Sequence, residues 1–566
     1  MNSSTLDFDS RSQQQATADT DSAIQSTRPS APFDRRHDLD ALRAIAMLLG
    51  IVLHAALSFA PFPWPVQDSQ QSEMYEVLFA FIHGFRMPLF FMLSGFFTAM
   101  LWRKRGLASL IKQRIRRILL PLVIGCVTIV PAMWVVSAYV SRPATVDSQE
   151  SALFAAVVSG DIEAVRSELQ NPEVDIDAWE TNSGSSPLCT AVFIGQTEIA
   201  EMLVDAQANV NQANRDRASP LHIAVFMGRP RLAGLLIQSG ADLNAYDGSG
   251  LTPKDLLTFD FGTTNYIASS LGVPLDQETL LAARKEIAEL MGESDYLGSD
   301  AGTAPASGLQ ALEPLLFQVP VFMHLWFLAF LCWLVAAFVP YTLLAKALRI
   351  NQLPRWIVCS PASLLWLIPL TMLPQSLMQT GGFGPDSSIG LFPIPHVLAY
   401  YAIFFFFGAV YWDMNDHRGQ LGRWWFVSLP LAIVVVFPLA LDLNSEAFGI
   451  VPQIESDSTR GLAGSFLQAT FVWLMTFGSI GLCRRLLSGE NKKMRYLSDS
   501  SYWLYLVHLP LVILAQWLVR DVPLPGIVKF VGVTIVISSL LLVTYAYGVR
   551  YTAIGRMLNG PRVRGA

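Results

Sequence analysis

Apolar residues along this chain gather into long runs separated by short polar stretches. Ten such runs stand out, at about 42–60, 77–101, 118–140, 320–340, 356–373, 396–412, 424–441, 463–483, 501–519 and 526–549. Each is close to the roughly 20 residues with which an α-helix crosses a bilayer. The pattern therefore predicts an all-α polytopic membrane bundle of about ten transmembrane helices. One interval breaks the rhythm: residues 141–319, between the third and fourth runs, are too many and too polar for a connector. The first forty residues, rich in Ser, Gln, Thr and Asp, hold no apolar segment and read as a disordered tail without a cleavable signal.

The long interval repeats itself. "SSPLCTAVFIGQTEIAEMLVDAQANVNQANRDRA" is followed by "SPLHIAVFMGRPRLAGLLIQSGADLNAYDGSGL" and then "TPKDLL", with Pro187, Pro220 and Pro253 spaced 33 residues apart. That period, with "SPLHIAV" and "GADLNAYD" as helix-start and turn signals, resembles the ankyrin repeat. The stretch "SALFAAVVSGDIEAVRSELQNPEVDIDAWE" fits as a degenerate opening repeat. His222 falls where the ankyrin pattern itself carries a histidine, which gives it a structural role. The domain order that follows is a tail (1–38), a membrane part (39–140), an inserted ankyrin solenoid (141–310), a second membrane part (311–550) and a tail (551–566).

Composition agrees with lipid as the solvent of most of the chain: 52% of the 566 residues are hydrophobic and 15% charged, with mean hydropathy +0.40. The net charge of −6 says less than its distribution. With the N-terminus cytoplasmic, the loops on that side hold "RKRGLASLIKQRIRR", Lys346, Arg349, Arg355, Arg418, Arg423 and "CRRLLSGENKKMR", whereas the short opposite loops hold only Arg460 and Arg520. The positive-inside rule then puts both termini in the cytoplasm of a plasma (inner) membrane protein and the ankyrin insertion outside it. Of five cysteines, Cys189 is alone in the insertion, and no metal-ligand spacing or disulfide framework is present. Nothing in the charge pattern suggests a nucleic-acid partner.

Several spans carry polar residues that hydrocarbon accepts only at a cost of roughly 2.5–3.5 kcal/mol for an arginine at a helix centre. In "LDALRAIAMLLGIVLHAAL", Arg43 and His54 are eleven residues apart and share a face with Met47 and Gly50, about three turns and roughly 16 Å along the axis. Asp40 can pair with Arg43 near the inner boundary. In "FIHGFRMPLFFMLSGFF", His83 and Arg86 are neighbours on one face. At about 1.5 Å per residue, His54 lies some 18 Å and Arg86 some 22 Å from the cytoplasmic end, so His54, His83 and Arg86 are expected to meet. The pair Ser94-Gly95 permits close helix approach or room for a ligand. His324 and His508 stand as further candidates.

These residues resemble a known family. "LDALRAIAMLLGIVLH" is similar to the arginine–ten residues–histidine signature of the membrane acyltransferase-3 family. "FRMPLFFMLSGFF", "RIRRILLP", "HLWFL" and "SYWLYLVHLPLV" are similar to its later motifs, in order, over about 35–140 and 315–550. "FIHGFRMPLFFMLSGFF" most resembles the glucan biosynthesis protein C branch, associated with succinylating periplasmic glucans, although an ankyrin insertion is foreign to that branch. The resemblance implies an O-acyltransferase that moves an acyl group, acetyl or succinyl, from cytoplasmic acyl-CoA to a hydroxyl of an extracytoplasmic glycan. It implies no permanently bound cofactor, acyl-CoA being a co-substrate. His54 would be the general base, Arg86 or His83 would stabilise the oxyanion, and Arg43, Asp40, Arg114, Arg117 and Ser94 would form the donor site.

Two other classes remain open from the residues. A secondary transporter also buries Arg and His in a bundle, although no corresponding pair of Gly/Pro-broken spans is evident in the two halves. A membrane-anchored scaffold would use the ankyrin stack to bind a protein partner and would not need deep charges.

Overall fold

The computed structural model describes residues 36–60, 64–140, 152–180, 184–293 apart from 215, 248–250 and several positions between 260 and 274, residue 316, and 321–560 apart from 351–352, 379–382, 446 and 453–456. The N-terminal tail expected at 1–38 therefore lies almost wholly outside the described residues.

Among the described residues, ten long helices make up most of the membrane part: α1 (His37–Ala56), α2 (Glu73–Arg114), α3 (Leu120–Val140), α4 (Trp326–Ala347), α5 (Leu364–Gln375), α6 (Pro395–Asp413), α7 (Trp425–Ser445), α8 (Asp457–Leu487), α9 (Lys492–Val519) and α10 (Gly526–Thr544). Among the described residues, eight stretches are long and apolar enough to cross a membrane, against ten expected. The difference has two causes. Glu73–Val140 counts as one stretch but holds two of the expected runs, and the helical path breaks within it at Gly106, whose φ of 77° is open to glycine without strain. The run expected at 356–373 is not one helix: a short turn, Arg355–Cys359, stops before Pro361, and the twelve-residue α5 carries Pro369 and Pro374.

Small residues let the central helices touch. A Cβ on Gly95 of α2 would collide with the Phe405 carbonyl of α6, and one on Gly408 of α6 would collide with that of Met92. The Ser94-Gly95 pair thus serves backbone approach, the usual device where lipid supplies no hydrophobic drive between helices. Around this contact Phe91, Phe330, Tyr401, Phe404 and Trp473 are fully buried, with Phe404 and Trp473 stacked at 4.3 Å.

Helix α9 packs along α1 and presents Ser498, Tyr502, Tyr505 and His508, spaced three or four residues apart and hence on one stripe. At one end of the bundle this stripe meets Arg43. At the other, residues 64–72 pack over the end of α1: Ser58 Oγ donates to the Val66 carbonyl at 2.7 Å, and Asp68 forms a fully buried 2.8 Å ion pair with Lys529 of α10. Helix α3 ends at that same level, where Val140 clusters with Val66, Leu509 and Ile513.

The insertion is built of helix pairs, Ala152–Ser159 with Ile162–Leu169, Pro187–Ile194 with Thr197–Asp205, and Pro220–Phe226 with Pro230–Gln238, closed by Gln277–Leu290. Ser186 and Ser219 cap the helices that start on Pro187 and Pro220, as expected of a cap followed by a ring whose missing N–H is no loss there. Residues one repeat apart occupy the same core positions: Leu188 and Leu221, Ala200 and Ala233, and Leu203 and Leu236 are all fully buried. His222 completes a capping box. Its Nδ1 accepts from the Ser219 backbone N–H at 3.2 Å, and its Nε2 donates to the Leu251 carbonyl at 3.0 Å. Burial lowers its pKa from the ordinary 6.5.

Candidate active site

A cleft of about 530 Å³, including the space open to solvent, lies between α1, α2, α4 and α9, and is lined by Met47, Gly50, His54, Arg86, Met87, Phe90, His324, Trp326, Phe327, Tyr505 and His508. Its polar groups come from four helices, and local backbone chemistry aims each one.

His54 lies one turn after Gly50 on α1, and its Nδ1 is 2.7 Å from the Gly50 carbonyl. A carbonyl can only accept, so Nδ1 carries the proton in the neutral ring. The same Nδ1 lies 3.1 Å from His508 Nε2. His508 Nδ1 in turn sits 3.0 and 2.9 Å from the carbonyls of Leu504 and Tyr505, which fixes its proton there and leaves Nε2 as an acceptor. The pair is therefore ordered: His508 accepts from His54 Nδ1, and the lone pair of His54 is left on Nε2, which makes no hydrogen bond among the described residues.

Arg86 supplies the positive pole. A Cβ on Gly50 would collide with Arg86 Nη1, so the guanidinium occupies the slot that the missing side chain leaves on α1. Among the described residues, its Nε is buried without a partner and no carboxylate lines the cleft. An unpaired buried guanidinium is costly, and its donors are free for an anionic or polarised oxygen.

His324 enters from the start of α4. Pro510 has no N–H, so the Leu506 carbonyl one turn earlier on α9 is not claimed by the helix. His324 Nε2 donates to it at 3.1 Å, while the carbonyl of His324 accepts from Tyr505 Oη at 2.7 Å. His324 Nδ1 is buried and has no partner among the described residues.

His83 is turned elsewhere. Its Nε2 donates to the Pro385 carbonyl at 2.9 Å, its ring stacks on Phe79 at 5.1 Å, and it is absent from the cleft lining. The expectation that His54, His83 and Arg86 meet is corrected to a meeting of His54 and Arg86 with His508, His324 and Tyr505. Two residues three apart on a helix still diverge by about 60°, enough for Arg86 to face α1 while His83 holds the segment around Gly384.

The expected donor residues gather at the Arg43 end. Arg43 Nη2 donates to Ser498 Oγ at 2.7 Å, lies 3.4 Å from Asp40 and covers the Phe97 ring at 5.7 Å. Arg114 donates to Thr98 Oγ1 at 2.7 Å, and the Tyr502 hydroxyl donates to the Arg117 carbonyl. Both Arg43 Nε and Arg114 Nε are buried without a partner. Ser94 lies one turn from Thr98, which bonds its carbonyl at 2.7 Å. A smaller cleft at this end is lined by His37, Asp40, Asn491 and Arg495. Arg43 and His54 do not touch, as their spacing requires, and the α9 stripe joins their two ends.

Sequence reasoning missed Tyr505, Ser498, Thr98 and the outer pair Trp64 and Gln516. Trp64 stacks on His54 at 6.1 Å and donates to Gln516 Oε1 at 2.9 Å, and the Gln516 amide donates to the His54 carbonyl at 2.9 Å. Tyr505 was within reach, being three residues before His508 on the same face. Trp64 sits in a loop without periodicity, so nothing local marked it.

Comparison with known proteins decides the family. The profile of the acyltransferase domain of that family matches residues 36–154 and 295–545, well over half of the chain. The chain belongs to the acyltransferase-3 family. Between the two matched segments, the profile of ankyrin repeats, in three copies, matches residues 153–247. This acyltransferase-3 chain is 37% identical over 91 residues to glucans biosynthesis protein C of Escherichia coli strains K12 and SMS-3-5, covering 16% of this chain and 24% of each relative. The match thus spans about a quarter of those relatives. The crystal structure of the Bcl-3 ankyrin repeat domain is similar at 26% identity with a TM-score of 0.19, covering 25% of this chain and 57% of that one.

Proposed function

We propose that this membrane acyltransferase transfers an acyl group, acetyl or succinyl, from acyl-CoA bound at the Arg43 end to a hydroxyl of a glycan arriving at the Trp64 end, with His54 as general base. The observation that carries the reading is the ordered His54–His508 pair, which leaves the His54 Nε2 lone pair free in a cleft that also holds the unpaired Arg86.

The chemistry follows from these positions. His54 Nε2 takes the proton of the acceptor hydroxyl as its oxygen attacks the thioester carbonyl. The resulting imidazolium keeps both Nδ1 contacts, to Gly50 and His508. Negative charge develops on the carbonyl oxygen, and Arg86, already desolvated and without a competing acid, stabilises it. Collapse breaks the C–S bond, and the leaving thiolate takes the proton back from His54. An ester and free CoA are the products, with no net gain or loss of protons.

At the other end, Arg43 and Arg114 offer guanidinium groups with unused donors for CoA phosphates. The arginine-rich loops lie on this side in the sequence, which supports a cytoplasmic donor, cytoplasmic termini and an ankyrin unit outside an inner membrane. The name of the Escherichia coli relative favours a glucan among extracytoplasmic glycans, and an ankyrin stack is a fitting surface for a protein partner.

The test is transfer itself. Purified protein in lipid nanodiscs should move label from acyl-CoA to a glucan, and His54→Ala should abolish transfer while leaving acyl-CoA binding in place. Full transfer by His54→Ala would remove His54 as the base.

A further inference from the structure

Among the described residues, two histidines that line the cleft, His54 and His324, each keep an acceptor nitrogen without a partner, and the mechanism uses one of them. His54 Nε2 takes the proton of the attacking hydroxyl. His324 Nδ1 is buried, carries a lone pair in the uncharged ring because Nε2–H is committed to the Leu506 carbonyl, and has no partner among the described residues. Both rings flank His508, at centroid distances of 5.0 and 5.8 Å. A buried acceptor left unmatched is costly, and here the cost is fixed in place: the Pro510 gap holds one edge of the ring, and Tyr505 holds the backbone behind it.

Resting on the reading above, we infer that His324 Nδ1 is a specificity determinant that accepts a hydrogen bond from a second hydroxyl of the acceptor, beside the one being acylated. The acceptor class this selects is a polyol, a sugar presenting two hydroxyls one or two carbons apart, rather than an isolated alcohol, an amine or water.

His324 faces the acceptor side of the cleft. Its neighbour Met323 packs against the cluster of Val66, Met133, Val140, Leu509 and Ile513, as Trp64 and Trp517 do, at the end of the bundle where α3 terminates, away from Arg43 and Arg114. The donor's pantetheine amide is the other N–H or O–H that could reach this nitrogen, and the two sources are separable by kinetics.

The experiment uses the full chain in nanodiscs with succinyl-CoA, methyl β-glucopyranoside and its set of monodeoxy analogues. Wild-type protein should lose kcat/KM by about 10- to 100-fold with one monodeoxy analogue beyond the one lacking the acylated hydroxyl, because a site built to bond a hydroxyl rejects the analogue without it. His324→Gln keeps a donor near Nε2 for the Leu506 carbonyl and removes the acceptor at Nδ1. It should lose a similar factor with the full sugar and nothing further with that analogue, so the discrimination falls to about one while KM for succinyl-CoA stays fixed. His324→Asn, whose Oδ1 falls near the Nδ1 position, should restore part of the discrimination. Equal losses by His324→Gln on every analogue, or a raised KM for succinyl-CoA with discrimination intact, would overturn the assignment. If wild type transfers to no acceptor, the acyltransfer reading itself fails. Equilibrium binding of methyl β-glucopyranoside to wild type and His324→Gln then decides the contact alone, equal affinities overturning it.

Discussion

His508 Nε2 lies 3.1 Å from His54 Nδ1, and the two rings sit on different helices 454 residues apart in the chain. His508 touches no reacting atom in the proposed chemistry. It acts through His54 as a positioning residue, holding the tautomer and supporting the imidazolium that forms. Replacing it with leucine should lower kcat by roughly 10²-fold, within the range that general-base catalysis contributes, with little change in KM for acyl-CoA. His508→Gln, whose Oε1 can still accept from Nδ1–H, should recover part of the loss. Steady-state kinetics of the three proteins check this, and equal defects in both variants would assign His508 to packing instead.

Arg86 and Gly50 make opposite predictions for activity and stability. The guanidinium is buried without an acid, so Arg86→Met should leave the folded protein as stable or more so. It should nevertheless cost about 10²–10³-fold in kcat through the lost oxyanion contact. Gly50→Ala puts a methyl where Nη1 lies and should reproduce much of the kinetic loss without removing the charge. Melting temperatures and turnover measured together test the pair; a clear loss of stability in Arg86→Met would show that the arginine is structural.

Much of this architecture was legible in the sequence because the bilayer and the repeat both impose periods. Apolar runs of helix-spanning length gave the membrane helices, and prolines 33 residues apart gave the ankyrin stack. The eleven-residue interval between Arg43 and His54 placed them on one face at separate depths. What failed was contact between distant segments. His83 shares a helix face with Arg86, yet the loop around Gly384 claims it. The pairing of His54 with His508, and of His324 with a carbonyl freed by Pro510, needs the tertiary packing of three helices. Residues 356–373 read as a span by hydropathy alone, and Pro361, Pro369 and Pro374 were the signal that the helix would be broken.

At the proposed donor end, Arg43 is braced by Ser498 at 2.7 Å and by Asp40 at 3.4 Å. Removing a charge-assisted phosphate contact is worth about 1.5–3 kcal/mol, so Arg43→Gln should raise KM for acyl-CoA about ten- to a hundredfold with a smaller change in kcat. Arg43→Lys should recover little, because an ammonium does not reproduce the fork. Unchanged donor KM in Arg43→Gln would move the phosphate site elsewhere.

His222 gives the ankyrin unit a pH dependence. Its folded pKa is lowered by burial from 6.5, so between the two values the unfolded chain binds more protons than the folded one, and stability falls as pH drops below about 6.5. The loss levels off once pH is below the folded value. Hydrogen exchange of the 187–238 backbone, corrected for intrinsic rate, should show weaker protection at pH 5.5 than at 7.5. His222→Gln should flatten that difference. An identical pH slope in the variant would place the titration on other groups.

The side of the membrane that carries the ankyrin unit is the last point open to direct measurement. Native Cys189 is unsuitable as a reporter, since it is fully buried and its thiol is pushed up to about 11 by burial, with Sγ against the Gln212 carbonyl. Thiolate is the reactive form, so silence at Cys189 would carry no topological information. Tyr246, at a repeat turn and 64% exposed, is the better site. A Tyr246→Cys variant in intact cells should react with a membrane-impermeant maleimide added from outside, whereas a cysteine at Ser488, in a loop proposed to be cytoplasmic, should react only after permeabilisation. Labelling of Tyr246→Cys only after permeabilisation would place the insertion with the donor. The acceptor-side role of Trp64 and His324 would then have to be reversed as well, because α3 ends beside them.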